Sequence, residues 1–141
     1  MTFTELSVDD LADPVALLMS AFFTSSEASQ AAGRAYIERL QLRAADRDAP
    51  ISMKTADAQL EAIREWGAIP STARYAMLAR IRQRTLVVHG SKDIVVMPIN
   101  AFLLAQHLRD AQLVIYPDAS HGAQSQHAEI FLEHARLFLN G

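Results

Sequence analysis

The sequence predicts an α/β protein in which a helical N-terminal half is followed by a β-α-β-α unit. From about residue 5 to residue 82, apolar residues recur at helical spacing and no convincing strand appears. After Arg84, two short apolar runs rich in β-branched residues alternate with two helical segments, which is typical of a parallel sheet. We therefore divide the chain into a helical region, residues 1–82, and a β-α-β-α region, residues 83–141.

Three helices are predicted in the first half. Proline is favoured in the first turn of a helix, where its missing N–H is not needed, so we expect Pro14 to open the first helix. Ser25 or Ser26 can cap the second helix, because a serine hydroxyl accepts from the free N–H groups of the first turn. A polar break at residues 46–50 precedes a third helix, whose apolar stripe ends at Trp66.

Strands and helices alternate in the second half. Residues 85–88 form the first predicted strand, which ends at Gly90, and residues 113–116 form the second, which Pro117 stops. A helix that begins at Pro98 connects the two strands, and another helix follows the second one. Both strands are apolar on successive residues, so we expect both faces of the sheet to be covered.

The composition is that of one globular domain. Of the 141 residues, 50% are hydrophobic and 21% are charged, which is enough to build a core. The net charge of −3 provides no basic surface for a nucleic acid or an anionic membrane. The sequence has no cysteine, no signal-peptide pattern and no apolar run near the roughly 20 residues of a membrane span. We expect a cytoplasmic protein with no nucleic-acid and no membrane partner.

Two short motifs follow the two predicted strands. Gly90-Ser-Lys-Asp93 comes after the first strand, and Ser120-His121-Gly122 comes after the second. Because the carboxyl ends of parallel strands meet at one edge of a sheet, we expect Asp93 and His121 to lie close together. A carboxylate beside an imidazole selects one tautomer and stabilises the imidazolium, so the pair suits proton transfer. An isolated Asp and His are more often turn and loop residues, but the combined pattern favours the acid–base interpretation.

At these residues the chain resembles the α/β-hydrolase family, in the C-terminal part of its fold. In that family the acid of the catalytic triad follows a late strand in a G-x-x-D context, and the histidine follows the last strand. The resemblance implies that Asp93 and His121 are catalytic and that residues 1–82 form the cap. It also implies that the substrate is a small ester or another acyl compound, hydrolysed without a cofactor.

One part of the family pattern is missing. The family nucleophile lies in G-x-S-x-G on a sharp strand–helix turn before the acid, and the oxyanion hole is built partly from the residue that follows it. The glycines of this chain stand at positions 33, 67, 90, 122 and 141, so no two are four residues apart. The serines and aspartates of the first half fall in or next to predicted helices. We therefore expect the isolated chain to be inactive.

Three interpretations fit an acid and a base without a nucleophile. The chain is a truncated hydrolase, a non-catalytic binding or assembly module with a vestigial Asp–His pair, or one half of a split hydrolase. We favour truncation, because the resemblance starts at the cap.

Other candidate residues carry weaker signals. Phe22 and Trp66 are candidate substrate-pocket residues, although apolar residues at helical spacing are more often core. His89 ends a strand and is interpreted as a core or supporting residue, and no metal site is expected. Two parallel strands make a poor independent sheet, so the strand at 85–89 should expose an open edge. This edge predicts self-association or a complementing chain.

Overall fold

The structure, a computed structural model, describes residues 13–43, 45–49 and 51–141. The elements are α1 (Pro14–Phe22), α2 (Glu27–Leu42), α3 (Met53–Gly67), a 3-10 turn (Leu78–Arg80), β1 (Thr85–Gly90), α4 (Pro98–His107), β2 (Ala111–Tyr116), α5 (Ala123–Gln126) and α6 (Ala128–Asn140). Helices followed by a parallel βαβ unit confirm the predicted fold class, and the proline-led helices begin where expected. The predicted helical pattern of residues 5–12 and the end of the polar break, residue 50, lie outside the described residues.

Each described α-helix of the first half has a side-chain cap at its N-terminus. Asp13 caps α1, and Ser26 rather than Ser25 caps α2 by accepting from the N–H of Ser29 at 3.2 Å. Ser52 caps α3 by accepting from the N–H of Thr55 at 3.2 Å. Each such cap contributes about 1 kcal/mol.

α3 is the least supported helix. Every residue of Met53–Gly67 is exposed, and no other described element packs extensively against it. Its apolar side chains include Leu60, Ile63 and Trp66, which are about half exposed or more. The predicted apolar stripe is therefore present, but its face has no partner among the described residues.

The two strands pair in parallel and end together. Their register runs from Thr85 opposite Ala111 to Gly90 opposite Tyr116. β2 begins two residues earlier than predicted because Ala111 and Gln112 join the ladder. Because the strands end side by side, the two loops that follow leave the same edge of the sheet. We call them the acid loop (residues 91–97) and the histidine loop (residues 117–122).

The sheet is covered in part. α4 packs against both strands, with Ala101 buried, and a small core forms around Tyr116, Ala119 and Ala123. Ile115 in β2 remains 40% exposed, so the predicted cover is incomplete among the described residues. Within this part of the chain the sheet has two strands, and each strand has one edge without a neighbour. Association through the edge of β1 stays a prediction.

A buried polar network joins the first helices to the C-terminal unit. The hydroxyl of Ser29, which is fully buried, accepts from the N–H of Thr24 at 2.8 Å and donates to Gln126 Oε1 at 2.7 Å. Gln126 Nε2 in turn donates to the carbonyl of Asp118 at 2.7 Å. This network places α2 against the histidine loop.

The division of the chain between residues 82 and 83 stays a prediction.

None of the helices in the described ranges combines the length and the apolar character that crossing a membrane would need.

Candidate active site

Asp93 is held by the backbone of its own loop. Its Oδ1 accepts from the N–H of Val95 at 2.8 Å and from the N–H of Val96 at 2.9 Å. The residue is 5% exposed. A buried carboxylate is stable only when donors replace its water, and these two N–H groups do so in a turn that aspartate favours.

His121 faces the other oxygen of the same carboxylate. Its Nδ1 lies 2.9 Å from Asp93 Oδ2. An ionised carboxylate can only accept, so the proton of a neutral His121 is assigned to Nδ1 and the lone pair to Nε2. The His121 side chain is 36% exposed, against 3% for that of Asp93. The structure therefore brings the two predicted residues together, with the base on the accessible side.

The end of α1 fixes the backbone on both sides of His121. The carbonyl of Ala21 accepts from the His121 N–H at 3.3 Å and from the Ser120 hydroxyl at 2.7 Å. The carbonyl of Phe22 accepts from the Gly122 N–H at 2.9 Å. Carbonyls in the last turn of a helix have no partner within the helix, so the histidine loop supplies the missing donors.

The glycines of both motifs allow close approach of the backbone. A Cβ on Gly90 would lie 2.2 Å from the carbonyl oxygen of Ser120. A Cβ on Gly122 would lie 2.9 Å from the carbonyl oxygen of Phe22. Both distances are far inside ordinary contact, so these positions keep the strand end, the histidine loop and α1 together.

Within the histidine loop, Asp118 makes charged hydrogen bonds that tie the loop to neighbouring segments. Its φ of 48° lies in the left-handed region, which aspartate tolerates better than most residues. Its carboxylate accepts from Ser26, from Thr24 at 2.9 Å and from the Lys92 ammonium at 3.1 Å. The hydrogen bonds from Ser26, Lys92 and Thr24 lower the pKa of Asp118 from 3.8 to about 2. Sequence reasoning missed this residue, since a lone aspartate in a loop carries no distinguishing signal.

A cleft of about 230 Å³ opens at the pair. Its lining residues are Val88, His89, Gly90, Asp93, Val96, His121, Ala123 and Gln124. Of the two predicted pocket residues, Phe22 packs edge-to-face on the imidazole of His121, with ring centroids 5.2 Å apart. Trp66 is 72% exposed on α3. The structure thus brings Phe22 to the pair and leaves Trp66 on a solvent-facing helix, and both pocket roles stay predictions.

The described residues place no nucleophile on the base. Within ranges 13–43, 45–49 and 51–141, no serine, threonine or carboxylate side chain hydrogen-bonds to Nε2 of His121. Ser120, its neighbour in the chain, donates its hydroxyl to Ala21 instead. In the same ranges no three His, Cys, Asp or Glu side chains come together as metal ligands. The geometry of the pair suits proton transfer at Nε2 of His121, and within the described ranges that nitrogen has no hydroxyl or carboxylate partner.

The sequence matches the family described as the alpha/beta hydrolase fold over residues 3–128. An alpha/beta hydrolase fold protein from Chitinophaga pinensis is 35% identical, with a TM-score of 0.81, over 94% of this chain and 49% of that protein. A serine hydrolase involved in carbazole degradation, the CarC enzyme, shares the fold at 24% identity and a TM-score of 0.57, over 89% of this chain and 45% of that one. No curated protein shows significant similarity. The chain spans about half the length of the solved structures it matches.

Proposed function

The chain belongs to the α/β-hydrolase fold family, and from this membership we propose that Asp93 and His121 are the acid and base of a serine-type hydrolase. Its substrates are small esters or other acyl compounds, and it needs no cofactor. One observation carries the proposal: His121 Nδ1 lies 2.9 Å from Asp93 Oδ2. This bond occupies Nδ1, so Nε2 of His121, whose side chain is 36% exposed, is left as the atom that takes a proton.

The chemistry follows from these two residues. Nε2 of His121 takes the proton of the attacking hydroxyl, and the resulting imidazolium is stabilised by the carboxylate of Asp93. His121 then returns the proton to the leaving oxygen or nitrogen, and in the second half-reaction it activates water in the same way. Such general acid–base catalysis contributes about 10²–10⁴-fold to the rate.

The nucleophile and the oxyanion hole are proposed to come from residues that this sequence does not contain. The chain lacks G-x-S-x-G, and it aligns with only 49% of the Chitinophaga pinensis protein. We therefore propose that the 141-residue chain is inactive alone and works with a complementing segment, in the same polypeptide or in a separate chain. An in-frame G-x-S-x-G motif in the DNA upstream of Met1 would identify the first case. A location in the cytoplasm stays a prediction.

Complementation tests the proposed reaction. The chain is co-expressed with the part of the Chitinophaga pinensis protein that it does not match, and the purified complex is assayed with p-nitrophenyl acetate. We expect hydrolysis from the complex, none above background from the chain alone, and none from the complex carrying His121→Ala. A stable complex that hydrolyses neither ester, thioester nor amide substrates would contradict the proposal. Activity of the chain alone that disappears in His121→Ala would overturn the need for a second segment.

A second candidate function is a non-catalytic binding or assembly module, and the exposed apolar face of α3 favours it. Leu60, Ile63 and Trp66 are 46%, 62% and 72% exposed, whereas solvent-facing helices usually carry polar residues there. If binding is the function, Asp93→Asn and His121→Ala leave it intact and polar substitutions on α3 abolish it. If hydrolysis is the function, Asp93→Asn and His121→Ala abolish the activity of the complex in the complementation assay, and polar substitutions on α3 leave it intact.

A further inference from the structure

We infer that His89 is a positioning residue for the Asp93–His121 pair, holding the acid loop in the conformation that orients the carboxylate. The inference rests on the proposed function, since positioning matters only if the pair transfers protons. His89 is the second-last residue of β1, and its side chain is 13% exposed. It lines the same cleft as Asp93 and His121.

His89 makes a direct contact with the acid loop. His89 Nε2 lies 2.7 Å from the carbonyl oxygen of Val96. A carbonyl can only accept, so Nε2 carries the proton and donates it. The same nitrogen lies 3.2 Å from Asp93 Oδ2, which places the positive end of the N–H dipole beside the carboxylate.

Val96 and Asp93 connect the His89 contact to His121. Val96 receives the His89 hydrogen bond on its carbonyl, and its own N–H donates to Asp93 Oδ1 at 2.9 Å. Asp93 Oδ2 then accepts from His121 Nδ1 at 2.9 Å. Three hydrogen bonds in series therefore connect strand β1 to His121. The hydrogen bond from His89 is the one that attaches this series to the sheet.

Loss of the His89 side chain would remove this support from the acid loop. Without the donor, the Val96 carbonyl keeps no described side-chain partner, and the turn that presents two N–H groups to Oδ1 is free to open. Asp93 can then rotate away from His121, so the imidazole is no longer held in the Nδ1–H tautomer. Misplacing a catalytic group by about 1 Å costs on the order of 100-fold in rate.

Imidazole nitrogen NMR on the full chain tests the inference without any hydrolysis. In the unmodified protein we expect the Nε2–H tautomer for His89 and the Nδ1–H tautomer for His121. In His89→Phe, which keeps a ring but has no donor, the Nδ1–H form of His121 should lose its dominance. In His89→Gln, whose amide nitrogen occupies the equivalent position along the side chain, it should be retained. His107→Phe, on α4, is the matched control and should leave the His121 signals unchanged.

Two results would overturn the inference: an Nδ1–H tautomer of His89 in the unmodified protein, or a folded His89→Phe variant whose His121 signals match those of the unmodified chain. The first measurement needs no variant, so it decides even if His89→Phe fails to fold. In the complemented hydrolase we also expect kcat to fall by about 10- to 100-fold in His89→Phe with little change in KM. If His89→Phe and His89→Gln change the His121 tautomer as expected but the complex hydrolyses nothing, the structural role of His89 is supported and the proposed function is rejected.

Discussion

The carbonyl oxygen of Phe22 accepts a hydrogen bond from the backbone N–H of Gly122 at 2.9 Å, which joins the end of helix α1 to the residue after His121, the proposed base. α1 thereby supports His121 from outside the sheet. This support relies on hydrogen bonds to the backbone and on the small size of Gly122. It can therefore be tested by changes that leave the titratable groups alone.

Adding a methyl group at residue 122 should separate the two segments. Gly122→Ala places a Cβ 2.9 Å from the Phe22 carbonyl oxygen and 3.0 Å from the Phe22 Cβ, so one segment must move. We expect the free energy of unfolding to fall by about 1–3 kcal/mol, measured by urea denaturation. Gly67→Ala is the control, because nothing lies within 4 Å of its Cβ, and in a helix it should stabilise by up to about 1 kcal/mol. Equal effects of the two substitutions would show that the close approach at Gly122 does not exist in solution.

Removing the charge of Asp93 should reduce catalysis far more than binding. Asp93→Asn keeps the shape but offers His121 an amide in place of a carboxylate, which stabilises neither the correct tautomer nor the imidazolium. In the complemented hydrolase we expect kcat to fall by about 10⁴-fold with KM little changed. Asp57→Asn, on the exposed helix α3, serves as the comparison and should retain full activity. A loss of less than tenfold in Asp93→Asn would contradict the assigned role.

Stability should depend on the ionisation of Asp118 in acid. Folding lowers the pKa of Asp118 from 3.8 to about 2, so as the pH falls the unfolded chain binds a proton at a higher pH than the folded chain does. The stabilisation is complete above about pH 4 and is lost as the pH falls towards 2. Asp118→Asn removes this contribution while tolerating the left-handed backbone. We expect the urea midpoint of the unmodified protein to fall more steeply over this range than that of the variant, and parallel curves would refute the prediction.

The apolar face of α3 should affect association and leave stability almost unchanged. Ile63 and Trp66 are 62% and 72% exposed, so Ile63→Glu with Trp66→Lys should change the free energy of unfolding by less than about 0.5 kcal/mol per substitution. Phe23→Ala, at a side chain only 2% exposed, should cost about 3–5 kcal/mol. Sedimentation velocity should show less self-association in the α3 variant. A large loss of stability in that variant would mean that α3 packs against the rest of the chain.

The sequence allowed the acid and the base to be paired because both follow parallel strands, and parallel strands end at a common edge. The positions of Asp93 and His121 follow from this local rule, so the sequence was enough to predict that they lie close together. The supports of His121 could not be predicted, because Ala21 and Phe22 contribute backbone carbonyls, and any residue has one. His89 could be placed at the strand end, but its hydrogen bond to Val96 depends on how the acid loop turns back.

Trp66 shows a different limit of sequence reasoning. Its helical stripe was predicted and is present, yet amphipathic spacing indicates only that a helix has an apolar face. It does not identify which surface covers that face. Among the described residues nothing packs extensively on α3, so the spacing alone could not connect Trp66 to the cleft.

The hydrogen bond from Ser120 to Ala21 spans 99 positions along the chain, and this separation bears on the order of folding. Contacts between distant positions form only after a long loop has closed, which slows them relative to helices and local turns. The two hydrogen bonds that Asp93 accepts from Val95 and Val96 span only two and three residues, so they need no such closure. During refolding, the N–H groups of Val95 and Val96 should therefore become protected from hydrogen exchange before those of His121 and Gly122. The carboxylate would be oriented first, and the imidazole would join it when α1 docks.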